Sequence, residues 1–151
     1  MTSNESAGSP PPRWILKAFT RLNVVVYRLS GGRLMAKLGG DPICLVTMTG
    51  AKTGKQRTIP LMYVPHEDGV LLVASQGGAP KHPVWFHNLV AHPDILVEVD
   101  GKRLPLRARR VDEEEKAQLW PICCQHYAPY EQYQQRTDRS IPVFNCEPRP
   151  A

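Results

Sequence analysis

The chain has 151 residues, 42% of them hydrophobic and 22% charged, with a formal net charge of +5. That length carries one domain with its own core, and no apolar run reaches the roughly 20 residues of a membrane-spanning helix. Cys44, Cys123, Cys124 and Cys146 form no C-x-x-C pair, which excludes a zinc ribbon or a disulfide framework and points to a reducing, cytoplasmic compartment.

Residues 1–13, MTSNESAGSPPPR, are polar and proline-rich and read as a disordered tail before a single domain at 14–151. From Trp14 the pattern turns helical: Trp14, Ala18 and Leu22 recur every four residues, with Lys17 and Arg21 on another side. Those charges break any secretory signal. The helix stops near Gly31-Gly32. It reads as a cover for the end of a barrel or, more sharply, as a basic amphipathic helix touching the inner face of a membrane.

Short strand-like runs follow at 42–49, 57–64, 70–75, 95–100, 104–111 and 141–146. The apolar run at 43–46 predicts a strand covered on both faces. Gly101-Lys102 predicts a tight hairpin. Helical patterns occupy 83–91, 112–120 and 129–135. Pro83 suits a first helical turn. Asp112 is a candidate cap with Glu115 three residues on, and Pro121 is expected to kink or end its helix. The sum is an α+β chain, a small antiparallel β-barrel decorated by helices.

The turn TGAKTGKQR (49–57) gathers Lys52, Lys55 and Arg57 around two glycines. Successive turn amides can form an anion nest, Thr49 and Thr53 add hydroxyls, and Arg57 can grip a phosphate with two donors. It is not a Walker A loop. Gly50-x-x-x-Gly54-Lys55 is one residue short, and Gln56 stands where Ser or Thr is needed. No G-x-G-x-x-G supports a nicotinamide site. A phosphorylated ligand and a merely solvated hairpin both remain open.

In ASQGGAPKHPVWFHN (74–88) a strand ends at Ser75, two glycines follow, and a helix starts near Pro83. That joint places free N–H groups beside a small polar residue. Trp85 and Asn88 share a helix face. A planar heteroaromatic ring could lie on Trp85 with Asn88 at its polar edge, or Trp85 could anchor the core. Tyr127, Tyr130 and Tyr133, three apart, form either a pocket wall or a buried stripe. His82, His87 and His92 are five apart, so they do not share one helix face and no metal site is expected.

Together these pieces resemble the deazaflavin-dependent nitroreductase family of actinobacteria. The resemblance runs from about residue 13 to the end. Its carriers are TGAKTGKQR (49–57), ASQGGAPKHPVWFHNL (74–89), WPICCQHYAPYEQY (120–133) and TDRSIPVFNCEP (137–148). It implies a split β-barrel that binds coenzyme F420 in its reduced form. Ala51, Lys52, Thr53, Lys55, Arg57, Thr58 and Ile59 would hold the phosphate and acidic tail. Ala74, Ser75, Gln76, Gly77, Val84, Trp85 and Asn88 would border the deazaflavin ring. Met62, Tyr127, Tyr130 and Tyr133 would face the substrate, with Ser75, Tyr130 and Tyr133 as catalytic candidates. Family members can carry Arg at the position of Ala51, Lys at that of Gln76 and a tyrosine at that of Met62. Tyr63 should point to the opposite face of its strand from Met62.

The implied reaction is hydride transfer from C5 of the reduced deazaflavin to an electron-poor acceptor: a quinone, a nitro compound, or a conjugated enone or lactone. The cofactor carries the redox chemistry and the protein supplies placement. Two other classes fit the charge: a flavin or deazaflavin carrier without turnover, and a nucleic-acid-binding module. The latter is disfavoured because the basic residues are not interleaved with stacking aromatics.

Overall fold

A computed structural model describes residues 37–38 and 41–150. The tail and N-terminal helix expected at 1–31 lie outside the described residues. The elements are β1 (Lys37–Leu38), β2 (Asp41–Thr49), β3 (Gln56–Met62), β4 (Val64–His66), β5 (Gly69–Val73), α1 (Val84–Ala91), β6 (Asp94–Val99), β7 (Lys102–Arg110), α2 (Glu113–His126), α3 (Pro129–Gln135) and β8 (Val143–Pro148).

All strand pairs are antiparallel, in the order β3-β2-β6-β7-β8-β5-β4, with β1 also pairing to β2. β3 and β4 stand at opposite ends of that order, yet Tyr63 alone separates them in the chain. The sheet must therefore curl until its two ends meet, giving a split β-barrel within an α+β fold. The expected strand 57–64 is thus two strands. Tyr63 leaves the ladder at the break and donates its N–H to the Pro42 carbonyl at 3.0 Å.

Period-two alternation divides the apolar residues into two cores. Cys44, Val46, Met48, Val70, Leu72, Val97, Leu106 and Phe144 fill the barrel, closed at one end by Phe86 and Leu89 of α1. Leu71, Val73 and Val143 point outward and pack under Leu119 and Cys123 of α2 and Tyr130 of α3. Residues 43–46 are all buried, as expected for a strand covered on both faces.

Several boundaries move. β5 ends at Val73, not Ser75, and β8 starts two residues after the expected position. The β6–β7 turn is Asp100-Gly101, both at positive φ, rather than Gly101-Lys102. Asp112 does cap α2, its carboxylate accepting the Glu115 N–H at 2.8 Å. Pro121 does not end that helix, which runs on to His126. Pro121 and Ala117 are both exposed, so water can hydrate the Ala117 carbonyl that loses its donor. Burial of Leu119 and Cys123 on the opposite side offsets the roughly 3 kcal/mol that an interior proline costs.

Candidate active site

A cavity of about 300 Å³ opens where the two cores meet. Leu61 and Trp85 reach it from the barrel, while Met62, Val73 and Tyr130 reach it from the outer layer. Met62 packs with the outer core and Tyr63 with the barrel, the opposite orientations that strand alternation requires. Ser75, Gln76, Tyr127 and Tyr133 add polar groups, and Pro83 completes the wall. Six of the sequence-derived site residues, besides Met62, thus meet in one place: Ser75, Gln76, Trp85 and the three tyrosines.

The tyrosines do not lie on one helix. Tyr127 caps the C-terminus of α2, and Tyr130 and Tyr133 belong to α3. The helix joint still packs the three rings within 4.8–6.4 Å of one another. The Tyr127 and Tyr133 hydroxyls are hydrogen-bonded at 3.2 Å. Tyr130 is 4% exposed, and burial pushes its phenol far up, so it stays protonated. It is both a core residue and a wall of the cavity. Trp85 likewise does both jobs, packing on Phe144 at 6.0 Å and lining the cavity.

Three residues in succession adopt positive φ beneath the cavity: Gln76 at 45°, Gly77 at 63° and Gly78 at 80°. A Cβ on Gly78 would fall 2.5 Å from the Tyr133 carbonyl oxygen and 2.9 Å from Arg136 Cβ. The bend therefore docks on α3 at a distance only glycine permits. Arg139, which the sequence reading missed, grips the same loop. Its guanidinium donates to the carbonyls of Ala79 at 2.8 Å, Ser75 at 2.8 Å and Ala74 at 3.2 Å, and to His82 Nδ1 at 2.9 Å. Arg136 donates to the Gly77 carbonyl at 3.4 Å. Nothing in the local sequence marks these arginines, because their partners, backbone carbonyls and the His82 ring, lie some 60 positions away. Leu61, Val73 and Pro83 were also missed, being ordinary apolar residues of a strand or a helix start.

The basic turn lies at the far end of β3. Gly50 N–H donates to the Lys55 carbonyl at 2.8 Å, and Gly54 N–H to that of Gly50 at 2.9 Å. Lys52, Thr53, Lys55 and Arg57 are exposed, and among the described residues no carboxylate pairs with the three cations. Thr58 and Ile59 are half-buried behind them, the Thr58 hydroxyl 2.8 Å from that of Thr47.

Asn88 ties this turn to α1. Its Oδ1 accepts the Ala51 N–H at 2.9 Å, and its Nδ2 donates to Met48 Sδ at 3.5 Å. Both polar ends are used inside the protein, and the side chain is 5% exposed. Asn88 therefore faces the hairpin rather than the cavity. Val84 is 63% exposed, and Ala74 is fully buried in the barrel core. Gly77 enters only through the bend.

The cysteines offer no nucleophile. Burial pushes the thiols of Cys44 and Cys123 each up to about 12, and burial with nearby Glu131 also raises that of Cys124. His82 is engaged by Arg139, and its ring lies 6.4 Å from that of His87.

A family profile described as F420H(2)-dependent quinone reductase matches residues 19–148. The chain is 42% identical over 127 residues to the F420H(2)-dependent quinone reductase Rv1261c of Mycobacterium tuberculosis, covering 82% of this chain and 85% of that one. A solved structure described as an F420-H2 dependent reductase (FDR-A) is similar at 47% identity and TM-score 0.66, covering 70% of this chain and 94% of that one. Another, described as a domain-swapped dimer, is similar at 38% identity and TM-score 0.70, covering 91% of this chain and all of that one. The chain belongs to the F420H(2)-dependent quinone reductase family, oxidoreductases that use reduced coenzyme F420.

Proposed function

We propose that the cavity and the basic hairpin together hold one molecule of reduced coenzyme F420, and that the enzyme passes a hydride to a quinone or a similar electron-poor acceptor. The observation that carries this reading is a shared axis. β3 runs from Arg57 at the hairpin to Leu61 at the cavity, roughly 13 Å at strand rise. On α1, Trp85 lines the cavity and Asn88, about one helical turn further on, bonds to Ala51 and fastens the hairpin. A flat ring with a long anionic tail fits that axis, with an apolar wall at one end and, at the other, exposed cations that pair with no carboxylate among the described residues.

The coenzyme supplies hydride donation from C5 of its ring; the chain supplies the surroundings. Trp85, Leu61 and Pro83 would support the ring, and Ser75, Gln76 and Gly77 would border its polar edge. Lys52, Lys55 and Arg57 would hold the tail, with Ala51, Thr53, Thr58 and Ile59 shaping the hairpin that presents them. Met62, Tyr127 and Tyr130 would shape the acceptor side. Tyr133 would donate a hydrogen bond to the acceptor oxygen as negative charge builds there, with Ser75 as the second hydroxyl in reach of the cavity. Protonated Tyr130 cannot serve as a base.

We place the enzyme in the cytoplasm, in keeping with its four unpaired thiols. The basic pattern of the N-terminal segment further suggests contact with the inner membrane face, which co-flotation with anionic vesicles would test. We expect no nucleic-acid partner, because the basic residues are not interleaved with stacking aromatics.

Titrating the protein with coenzyme F420, FMN and NADPH side by side tests the reading. Binding of the deazaflavin, followed by return of its oxidised absorbance when menadione is added to the reduced form, is expected. No heat with any deazaflavin overturns it. Tyr133→Phe should lower kcat at least about tenfold, and wild-type rates on several acceptors would remove Tyr133 from its role.

A further inference from the structure

We propose that Arg139 is a positioning residue for hydride transfer, turning the backbone amides of Ser75 and Gln76 toward the cavity by holding their peptide carbonyls from behind. This rests on the reading of the cavity as the deazaflavin site. In a trans peptide the N–H and C=O lie in one plane and point in opposite directions. Arg139 binds the carbonyls of Ala74 and Ser75. The N–H groups opposite those two carbonyls belong to Ser75 and Gln76, both of which line the cavity. No hydrogen bond from either N–H is present among the described residues.

The same guanidinium also fixes where the loop returns, through Ala79 and His82. The left-handed backbone of Gln76, at φ 45°, lies between these anchors. A non-glycine residue in that region costs free energy and persists only when its surroundings enforce it. The enforcement comes from Arg139 and the Gly78 contact with α3, added to the turn bonds from the Gly78 N–H to the Ser75 carbonyl at 2.9 Å and from the Ala79 N–H to the Gln76 carbonyl at 3.1 Å. Two adjacent amides so aimed form a donor pair for an electron-rich edge of a bound ring. Such a pair is useful only if held still before the reaction begins. Arginine suits the task because its planar fork serves several acceptors at once, which lysine cannot reproduce.

The experiment compares wild type with Arg139→Gln and Arg139→Lys. The readouts are thermal unfolding, F420 affinity by fluorescence, the absorbance spectrum of the bound coenzyme, and single-turnover hydride transfer to menadione. A fall of about 30-fold or more in the single-turnover rate is expected, with F420 affinity changed by less than about tenfold because the hairpin holds the tail. The bound-coenzyme spectrum should shift toward that in water. Free guanidinium at low concentration should restore part of the rate to Arg139→Gln, and an equal concentration of sodium chloride should not. If Arg139→Gln fails to fold, Arg139→Lys carries the same readouts. A folded variant with wild-type rate and spectrum overturns the inference. Failure of wild type to bind F420 sinks the underlying reading instead.

Discussion

The loop at 74–82 is gripped through four backbone carbonyls by Arg136 and Arg139, whereas the hairpin at 50–57 presents three cations that pair with no carboxylate among the described residues. The arginines of the loop are spent on the protein's own backbone. Lys52, Lys55 and Arg57 of the hairpin are exposed and can meet a ligand. Charge committed internally fixes geometry and is insensitive to salt; charge left exposed gives affinity that solvent ions can screen. Placement of the reacting groups should therefore fail when the loop is disturbed, and affinity should fail when the hairpin is.

The most severe way to break the loop is Gly78→Ala. The new Cβ would strike the Tyr133 carbonyl, and φ of 80° is hostile to any L side chain. We expect a loss of about 2–4 kcal/mol of stability by chemical denaturation, with turnover collapsing in whatever fraction stays folded. Unchanged stability would mean that the bend does not dock on α3.

Asn88→Ala probes the joint between the two regions. It removes the acceptor of the Ala51 N–H from a buried position. The expected cost is about 1–3 kcal/mol, together with weaker F420 binding, because the hairpin loses its fixed relation to Trp85. If stability fell but affinity did not, the hairpin would not depend on α1 for its placement.

These contacts also show what the sequence discloses. Strand alternation set Met62 against Tyr63, because the period of two is imposed by the backbone itself, and the apolar run at 43–46 marked a strand covered on both faces. The Asp112 cap was legible for the same reason: its partner lies three residues on. The Tyr63 break was not legible, since only the curl of the whole sheet requires it. The helix does not end at Pro121 because the outer core, which outweighs a missing hydrogen bond, is assembled in part from strands distant in the chain. In the site, the clusters that meet at the cavity were readable as motifs. The inward turn of Asn88 and the reach of Arg139 were not, since both depend on tertiary partners more than 35 positions away.

Lys52→Ala combined with Lys55→Ala should act on the hairpin alone. We expect F420 to bind about 5- to 20-fold more weakly at low ionic strength, converging on wild type at about 0.5 M salt, where screening reaches a few ångströms. The rate of hydride transfer at saturating coenzyme should stay at the wild-type value. A fall in that rate would show that the lysines set ring position, erasing the division between the two regions.

The smallest expected effect is a pH response confined to the loop. His82 Nδ1 accepts from Arg139, which has no acceptor of its own, so neutral His82 carries its proton on Nε2. Partial burial lowers its pKa from the usual 6.5, reinforced by the positive charge of Arg139 and Arg110 and by His87, while the Phe86 ring lies 4.2 Å away. The folded pKa is below the unfolded one, so the unfolded state binds more protons between them. The stabilisation is therefore complete above about pH 6.5 and is lost progressively as pH falls toward the lower folded value. Once protonated, His82 can no longer accept from Arg139 and instead repels it. Amide hydrogen exchange across residues 74–82 should accelerate below about pH 6, after correction for intrinsic rates, while exchange in the hairpin stays unchanged. His82→Gln, which keeps an acceptor without a titrating ring, should abolish that dependence; if it persists, Arg139 holds the loop without help from His82.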